Sequence, residues 1–495
     1  ELKRKLEGMM KGSAQMNIYH PPTLHQLAMQ GLLRNEALAI SSLDCMPIML
    51  FPPLFEEAFK GRHTKILKAM VAAWPFPCLP VGALMKTPEV ETLQAVLHGI
   101  DMLLTQKARP RRCKLQVLDL RNVHQDFWDV WAGREDEAHS EDSGRGNQVV
   151  KSLHTNALWQ PLKVVTDLNL CFHLQEHQIC LLQWAQQRKG SVQLCCLKMQ
   201  ICDFPVETIM AVLDTFQPHY IEELEIITIK TLSSPNSIAH CLGQMRNLHK
   251  CHLSLNALFT DSESTEMCLQ KLLTQFSKLN CLQHLYLNGM MESCVCHVKL
   301  IFCSFPRCLM TPLESLSITL CHLSLSDFKF LSQCPRLCQL KHLHLSRMEL
   351  SMSHPRGLRR LLENVADTLQ TLELKRCSLE DSHLSVLLPA LSQCSQLTKV
   401  NFCDNDFSSA ALKDLLQCMA NLNQLAVELY PAPLECYDNP YNILVDRFAQ
   451  LCLELRGIVM AKRQPKTMAF ATTICIECCQ RCVYDMETKL CPCWQ

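Results

Sequence analysis

The sequence predicts an α/β solenoid, with parallel strands stacked along one side, helices along the other and a helical cap at the start. Three observations lead there: an apolar pattern that recurs down most of the chain, a change of period inside each copy, and an opening stretch of different character. A fixed period of a few tens of residues marks a repeat architecture before any other fold is considered. The pattern here is Leu-x-x-Leu-x-Leu-x-x-Asn/Cys-x-Leu. It is clearest in "LESLSITLCHL" from Leu313, "LKHLHLSRMEL" from Leu340, "LQTLELKRCSL" from Leu369 and "LTKVNFCDNDF" from Leu397. Weaker copies begin at Val165, Leu194, Ile221, Leu248, Leu282 and Leu422, and a first copy, "LQVLDLRNV", begins at Leu115. From Leu194 successive starts fall 27, 27, 34, 31, 27, 29, 28 and 25 residues apart.

Each copy reads as a strand followed by a helix. Alternating leucines make a short strand with one buried side, and the stretch between copies, such as "SHLSVLLPALSQC" from Ser382 to Cys394, has apolar residues at helical spacing. One unit cannot bury its own apolar face, so neighbours stack into a parallel curved sheet with outer helices. This is a leucine-rich-repeat solenoid of the longer, helix-backed kind, similar in unit length to the ribonuclease-inhibitor horseshoe. The ninth template position, occupied by Cys321, Cys377 and Asn405, is expected to bond to backbone where the strand turns away.

The chain opens differently. Residues 21–108 are helical and Pro-punctuated, with "TLHQLAMQGLLRNEALAI", "PPLFEEAFKGRHTKILKAMVAAW" and "ETLQAVLHGIDMLL" as three amphipathic segments and Thr23 as an N-cap. A cap over the first strand is what a solenoid requires. Residues 109–132 hold the first repeat, 133–150 an acidic insertion expected to be disordered, 151–430 the remaining repeats, and 431–495 a C-terminal cap. Residues 1–20 are expected to be a flexible start, with Met16 as the expected natural beginning.

Composition excludes several classes. With 48 basic and 48 acidic residues the net charge is zero, which gives no electrostatic reason to expect nucleic acid or an anionic membrane as partner. Only 14 glycines are present, and no dinucleotide fingerprint or Walker-type loop is found. No secretory signal is read in the charged "ELKRKLEGMMKG", and no run reaches the roughly 18 apolar residues of a membrane span. Most of the 31 cysteines lie singly among leucines, where a thiol acts as a small hydrophobe. The expected compartment is therefore the reducing cytosol or nucleus.

"PPTLHQLAMQGLLRNEALAI", "LFPPLFEEAFKGRHTKILKAMVAAWPFPCLPVGALMK" and "LQVLDLRNVHQDFWDVW" resemble the PRAME family (preferentially expressed antigen of melanoma), most specifically around Trp74-Pro75-Phe76. The resemblance implies a substrate receptor of a cullin-RING ubiquitin ligase. The elongin-binding box, Ser/Thr/Pro-Leu-x-x-x-Cys-x-x-x-aliphatic, is met by Thr23, Leu24, Ala28 and Leu32. Spacing by four sets the apolar members on one helical stripe; the departure is Ala28 where Cys is usual. A cullin box, aliphatic-Pro-x-x-aliphatic-x-x-x-aliphatic, follows with Met46, Pro47, Leu50 and Leu54. The expected partners are thus elongin B/C, a cullin and a substrate protein. The alternative is a binding protein without ligase traffic, either a transcriptional corepressor or an enzyme inhibitor. Catalysis by the chain itself is not expected.

The substrate surface is expected on the open strand face, where alternate residues point away from the core. It includes Lys250, His252, His284, Tyr286, His342, His344, Glu373 and Asn401, a mixed polar row that suits a protein partner. Its histidines lack a partnered metal spacing. "LRRLL" at Leu358, "LKDLL" at Leu412 and "LQKLL" at Leu269 match a coregulator signature but fall on solenoid helices, where leucines are core. "KARPRRCK" at Lys107 is read as a solvated linker. In the tail, Cys475, Cys478, Cys491 and Cys493 have ligand spacing compatible with zinc, with Cys479 and Cys482 as alternatives. The sequence favours ordinary reduced thiols in a capping hairpin, and no metal or cofactor is expected.

Overall fold

The computed structural model describes residues 23–85, 89–106, 111–132, 161–171, 173–202, 206–227, 235–254, 271, 274–289, 309–321, 323, 325–350, 354–439 and 442–494. The chain forms two compact units, residues 1–163 and 164–495. The first repeat therefore clusters with the helical opening. The expected flexible start and the acidic insertion lie outside the described residues.

The first unit runs α1 (Leu24–Arg34), α2 (Glu36–Ser42), α3 (Phe51–Lys60), α4 (Thr64–Ala72), β1 (Cys78–Leu79), α5 (Val90–Thr105), β2 (Val117–Asp119) and α6 (Gln125–Ala132). Thr23 caps α1 reciprocally: its hydroxyl accepts from Gln26 N (3.2 Å) and Gln26 Oε1 accepts from Thr23 N (2.9 Å). Two segments read from sequence as single helices are each broken in two. Asn35 ends α1 and starts α2, its side chain accepting from Leu38 N at 3.1 Å. Arg62, at φ 57°, reverses the chain between α3 and α4. Trp74 is fully buried, with Phe51, Phe55, Phe76 and Trp128 within 6.4 Å of its ring centre. Its indole N–H donates to Cys78 O, and that of Trp128 donates to Pro80 O, each at 2.9 Å. The residues that most specifically carry the family resemblance are therefore the pins of this core. Arg112, read as part of a solvated linker, instead donates to Leu43 O and Met46 O at 3.1 and 2.7 Å.

The second unit begins within β3 (Leu162–Cys171), from Val164, and runs through β4 (Val192–Cys202), β5 (Glu223–Ile227), β6 (Lys250–Ser254), β7 (His284–Asn288) and β8 (Ser315–Thr319). It continues with β9 (His342–Ser346), β10 (Thr371–Lys375), β11 (Lys399–Asn401) and β12 (Val427–Pro431). These strands lie side by side in chain order, and every pairing from β4 to β12 is parallel. Between them come helices α7 (Glu176–Gln186), α8 (Val206–Leu213), α9 (Pro235–Leu242), α10 (Leu325–Gln333), α11 (His354–Val365), α12 (Asp381–Leu391) and α13 (Ser409–Met419). Strand, helix and parallel strand follow one another from β3 to β6 and again from β8 to β12, which is the predicted leucine-rich-repeat solenoid.

Burial follows the template. Strands β7, β9 and β10 alternate half-buried and buried residues, so leucines such as Leu343, Leu345, Leu372 and Leu374 sit at most 1% exposed. The helices close the core from the other side with Leu358, Leu361, Leu362, Leu412, Leu415 and Leu416, all buried. The coregulator-like motifs at Leu358 and Leu412 are thus core, as expected; the one at Leu269 falls largely outside the described residues.

A further regularity sits at the eighth template position. Leu320, Arg347, Arg376 and Asp404 occupy it in four successive repeats, and all adopt left-handed backbone with φ between 52° and 62°. The next repeat holds them there. Leu320 N donates to Ser346 O (3.1 Å), Arg347 N to Lys375 O (3.0 Å) and Arg376 N to Cys403 O (3.0 Å). The ninth position then bonds to backbone, as predicted. Asn405 accepts from Cys377 N (3.0 Å) and Leu379 N (3.2 Å) and donates to Leu374 O (2.6 Å) and Phe402 O (2.8 Å). Cys377 donates through sulfur to Leu345 O at 3.2 Å.

The end of the sheet changes direction. After β13 (Tyr437–Asn439) and β14 (Asn442–Ile443), helix α14 (Val445–Met460) leads to β15 (Thr467–Ala471), which pairs parallel with β12. Strands β16 (Val483–Tyr484) and β17 (Thr488–Lys489) then add in antiparallel fashion. The expected capping hairpin is therefore present.

Candidate functional site

Parallel register stacks the open-face residues into ladders. One row places Lys198, Glu223, Lys250, His284, Ser315, His342, Thr371 and Lys399 opposite one another in turn. The row two residues further on holds Gln200, Glu225, His252, Tyr286, Ser317, His344, Glu373 and Asn401. All eight sequence-predicted residues of this face therefore fall in two adjoining rows. Asn401 alone among them is buried, its side chain turned to its own chain, where Oδ1 accepts from Cys403 N at 3.0 Å.

Charges on the face are mostly paired with one another. Lys198 Nζ lies 2.9 Å from Glu223, Lys250 Nζ 3.9 Å from the same carboxylate, and His252 Nδ1 2.8 Å from Glu225. At the other end Lys399 Nζ lies 2.7 Å from Glu373, with His344 Nδ1 at 3.9 Å. Lys250 also rests over the Tyr286 ring, 5.6 Å from its centre. Between these clusters the surface is neutral, with His284 Nδ1 2.9 Å from Ser315 Oγ. Partial burial pushes His284, His342 and His344 below the ordinary imidazole value of 6.5. At neutral pH they are uncharged rings offering one donor and one acceptor each.

Two depressions follow the rows. One of about 390 Å³ is lined by His284, Tyr286, Ser317, His342, His344 and Lys399. The other, of about 590 Å³, is lined by Asp167, His177, Lys198, Glu223, Glu225 and His252 among others. Sequence reasoning missed Lys198, Gln200, Glu223 and Glu225, which belong to the weaker repeats. The signal was available: they hold the same alternate positions, in copies whose leucines are replaced by Met and Ile.

The box residues on α1 are arranged differently from a core stripe. Leu24 is 86% exposed and Leu27 47%, Ala28 is exposed, and Leu32 is half-buried. Met29, at 6%, takes the buried place. The second box is divided. Met46 (5%) and Leu54 (0%) are core, Leu50 is half-buried, and Pro47 is exposed together with Ile48 and Met49. Among the described residues the histidines of the sheet form no cluster close enough to share a metal ion; the sulfurs of Cys475, Cys478 and Cys493 in the C-terminal hairpin lie within 4.8 Å of one another. No helix among those residues is long and apolar enough to cross a membrane.

Strand-and-helix repeats with a laddered polar face, together with a helical unit that keeps an apolar stripe in solvent, define a leucine-rich-repeat protein of two-part build. The chain belongs to the PRAME family. The PRAME N-terminal domain matches residues 21–128 and the PRAME C-terminal domain residues 162–493. Over 484 residues it is 43% identical to PRAME family member 12 of Homo sapiens, covering 96% of this chain and 98% of that protein. Oogenesin-3 of Mus musculus is 41% identical over 484 residues, covering 96% and 94%. Among solved structures, an internalin C2 from Listeria monocytogenes gives a TM-score of 0.25 at 18% identity, covering 45% of this chain and 74% of that one; so low a score carries no argument.

Proposed function

We propose that the chain is a non-catalytic substrate receptor of a cullin-RING ubiquitin ligase, acting in the cytosol or nucleus. Helix α1 docks on elongin B/C, the neighbouring segment around Pro47 contacts a cullin, and the sheet face binds the protein to be degraded. The observation that supports this reading best is the exposure of Leu24, Leu27 and Ala28 on one capped helix. An amphipathic helix ordinarily turns its apolar stripe into its own core. Here Met29 does that, while Leu24 and Ala28 of the box stay in water and Leu32 is half-buried. The cullin contact is read on Pro47, Ile48 and Met49, since Met46 and Leu54 are used inside the fold.

Binding rather than catalysis is supported by the face itself. His284 and Ser315 sit within hydrogen-bond distance, but both lie on interior strands of an extended, laddered face of paired charges, the arrangement of a binding surface. The coregulator-like motifs at Leu358 and Leu412 lend nothing to the corepressor alternative, because their leucines are core. Affinity purification tests the proposal: the wild-type protein recovers elongin B, elongin C and a cullin, and Leu24→Asp with Ala28→Asp recovers neither. Failure of the wild type to recover them returns the protein to the class of repeat binding proteins without ligase traffic.

A further inference from the structure

The C-terminal hairpin gathers thiols that the binding face does not use. Cys475 and Cys478 lie on a tight turn in which Cys479 N donates to Cys475 O (3.0 Å) and Cys475 N donates to Gln480 O (2.8 Å). Cys479 closes it at φ 55°. The antiparallel pair β16 and β17, with Val483 opposite Lys489, then brings the chain back, and Cys491 and Cys493 follow β17 directly. The sulfurs of Cys475, Cys478 and Cys493 all lie within 4.8 Å of one another. Cys491, two residues before Cys493, is buried and its N–H donates to the Cys482 sulfur at 3.4 Å; its own sulfur lies outside that close trio.

These thiols differ from the buried ones of the repeats. Cys321 and Cys377 are packed singly among leucines, and burial pushes both up to about 12, as inert hydrophobes. In the hairpin, Cys475 and Cys478 are half-buried and Cys493 is exposed. Two short pairs, Cys475-x-x-Cys478 and Cys491-x-Cys493, flank the hairpin, the spacing with which thiolates take a structural metal.

We propose that Cys475, Cys478, Cys491 and Cys493 bind a structural zinc ion. Zn²⁺ takes four thiolates tetrahedrally at about 2.3 Å, which sets the sulfurs roughly 3.8 Å apart. Cys475, Cys478 and Cys493, within 4.8 Å of one another, need a contraction of at most about 1 Å to reach that geometry, and Cys491 turns its sulfur in to complete it. Each thiol still protonated gives its proton to solvent as its Zn–S bond forms, and no electron is transferred. Four protein ligands leave no open position, so the ion holds the hairpin in place and does no chemistry. Cys482, buried beside Cys491 and accepting from Cys491 N at 3.4 Å, supports the site from behind.

Full-length protein purified under reducing conditions, without chelator and with zinc supplied during expression, is expected to carry one zinc per chain by mass spectrometry of the metal. Cys478→Ser is expected to lower that at least tenfold, whereas Cys479→Ser, an exposed thiol outside the group, leaves it unchanged. Because a lost hairpin can unfold the chain, the wild type is also stripped and titrated with Co²⁺, which in a tetrahedral thiolate site gives intense sulfur-to-metal charge-transfer bands. Less than a tenth of an equivalent of zinc in the wild type, a featureless cobalt spectrum, or zinc retained in Cys478→Ser each overturns the proposal. So does a native mass two hydrogens low with no metal bound, which would mean a disulfide instead.

Discussion

Asn405 engages four backbone groups with one buried side chain, two as acceptor and two as donor. Asn405→Ala strands all four in the core, and a loss of about 3 kcal/mol is expected in urea unfolding. The left-handed residue of each repeat obeys a different rule. A non-glycine residue in that conformation gives up roughly 1–2 kcal/mol, most for a β-branched side chain. Arg376→Gly is therefore expected to leave the unfolding midpoint nearly unchanged, and Arg376→Val to lower it. The template announces the ninth position because Asn and Cys share a hydrogen-bonding task. It is silent about the eighth, since Leu320, Arg347, Arg376 and Asp404 share only a backbone angle, and that angle is imposed by the neighbouring repeat. On α1, Leu24 touches solvent rather than core, so Leu24→Asp is expected to change stability by no more than about 0.5 kcal/mol while abolishing elongin recovery. Ala28→Cys, which restores the usual box residue, is expected to raise elongin recovery.

Helix α14 is fastened to the last repeat by one buried ion pair. Arg463, just beyond the helix, lies 2.7 Å from Glu428 on β12 and donates to Leu425 O (2.8 Å) and Met419 O (3.1 Å). Glu428 is fully buried, and its other oxygen accepts from the Tyr430 hydroxyl at 2.7 Å. Burial first, and then Glu428 itself, push the Tyr430 pKa well up, so the phenol stays a donor. Arg463→Ala leaves the carboxylate buried without its cation and is expected to cost about 3–5 kcal/mol, read by thermal or urea unfolding. The double change Glu428→Gln with Arg463→Met is expected to recover much of that. Among the strands, the three histidines set a pH dependence. Burial is the largest cause of each lowered pKa, with Glu314 beside His284 and His342, and Glu373 beside His344, opposing it. The unfolded chain takes up protons first, so their contribution is complete above 6.5 and is lost as pH falls through 6.5 toward the folded values. A falling melting temperature across that window, flattened in His342→Asn with His344→Asn, is the expected result. Elements were legible wherever period decided them, and the breaks at Asn35 and Arg62 were not. A cap and a left-handed turn each act at one residue, inside a stripe whose apolar spacing continues across them.

At the scale of the whole chain, the repeat array and the helical opening were readable because each follows one period over many residues. The division into units was less so, because β2 carries a repeat's pattern yet clusters with the helices. The open face was legible by alternation, while the ion pairs that neutralise most of it depend on register between neighbouring repeats, whose partners stand 25 to 29 residues apart in the chain. A longer-range feature has the widest reach: the sheet runs parallel to β15 and then reverses at β16 and β17. A parallel edge is a template on which one more strand-and-helix unit can be laid, whether from the same chain or another. The reversed hairpin, tied to the last clear repeat by Arg481 Nη2 and Asp404 Oδ2 at 2.8 Å, offers no such continuation. A copied segment spliced between two existing repeats would therefore find matching faces on both sides, whereas one appended after the hairpin would meet a reversed strand in place of a parallel edge.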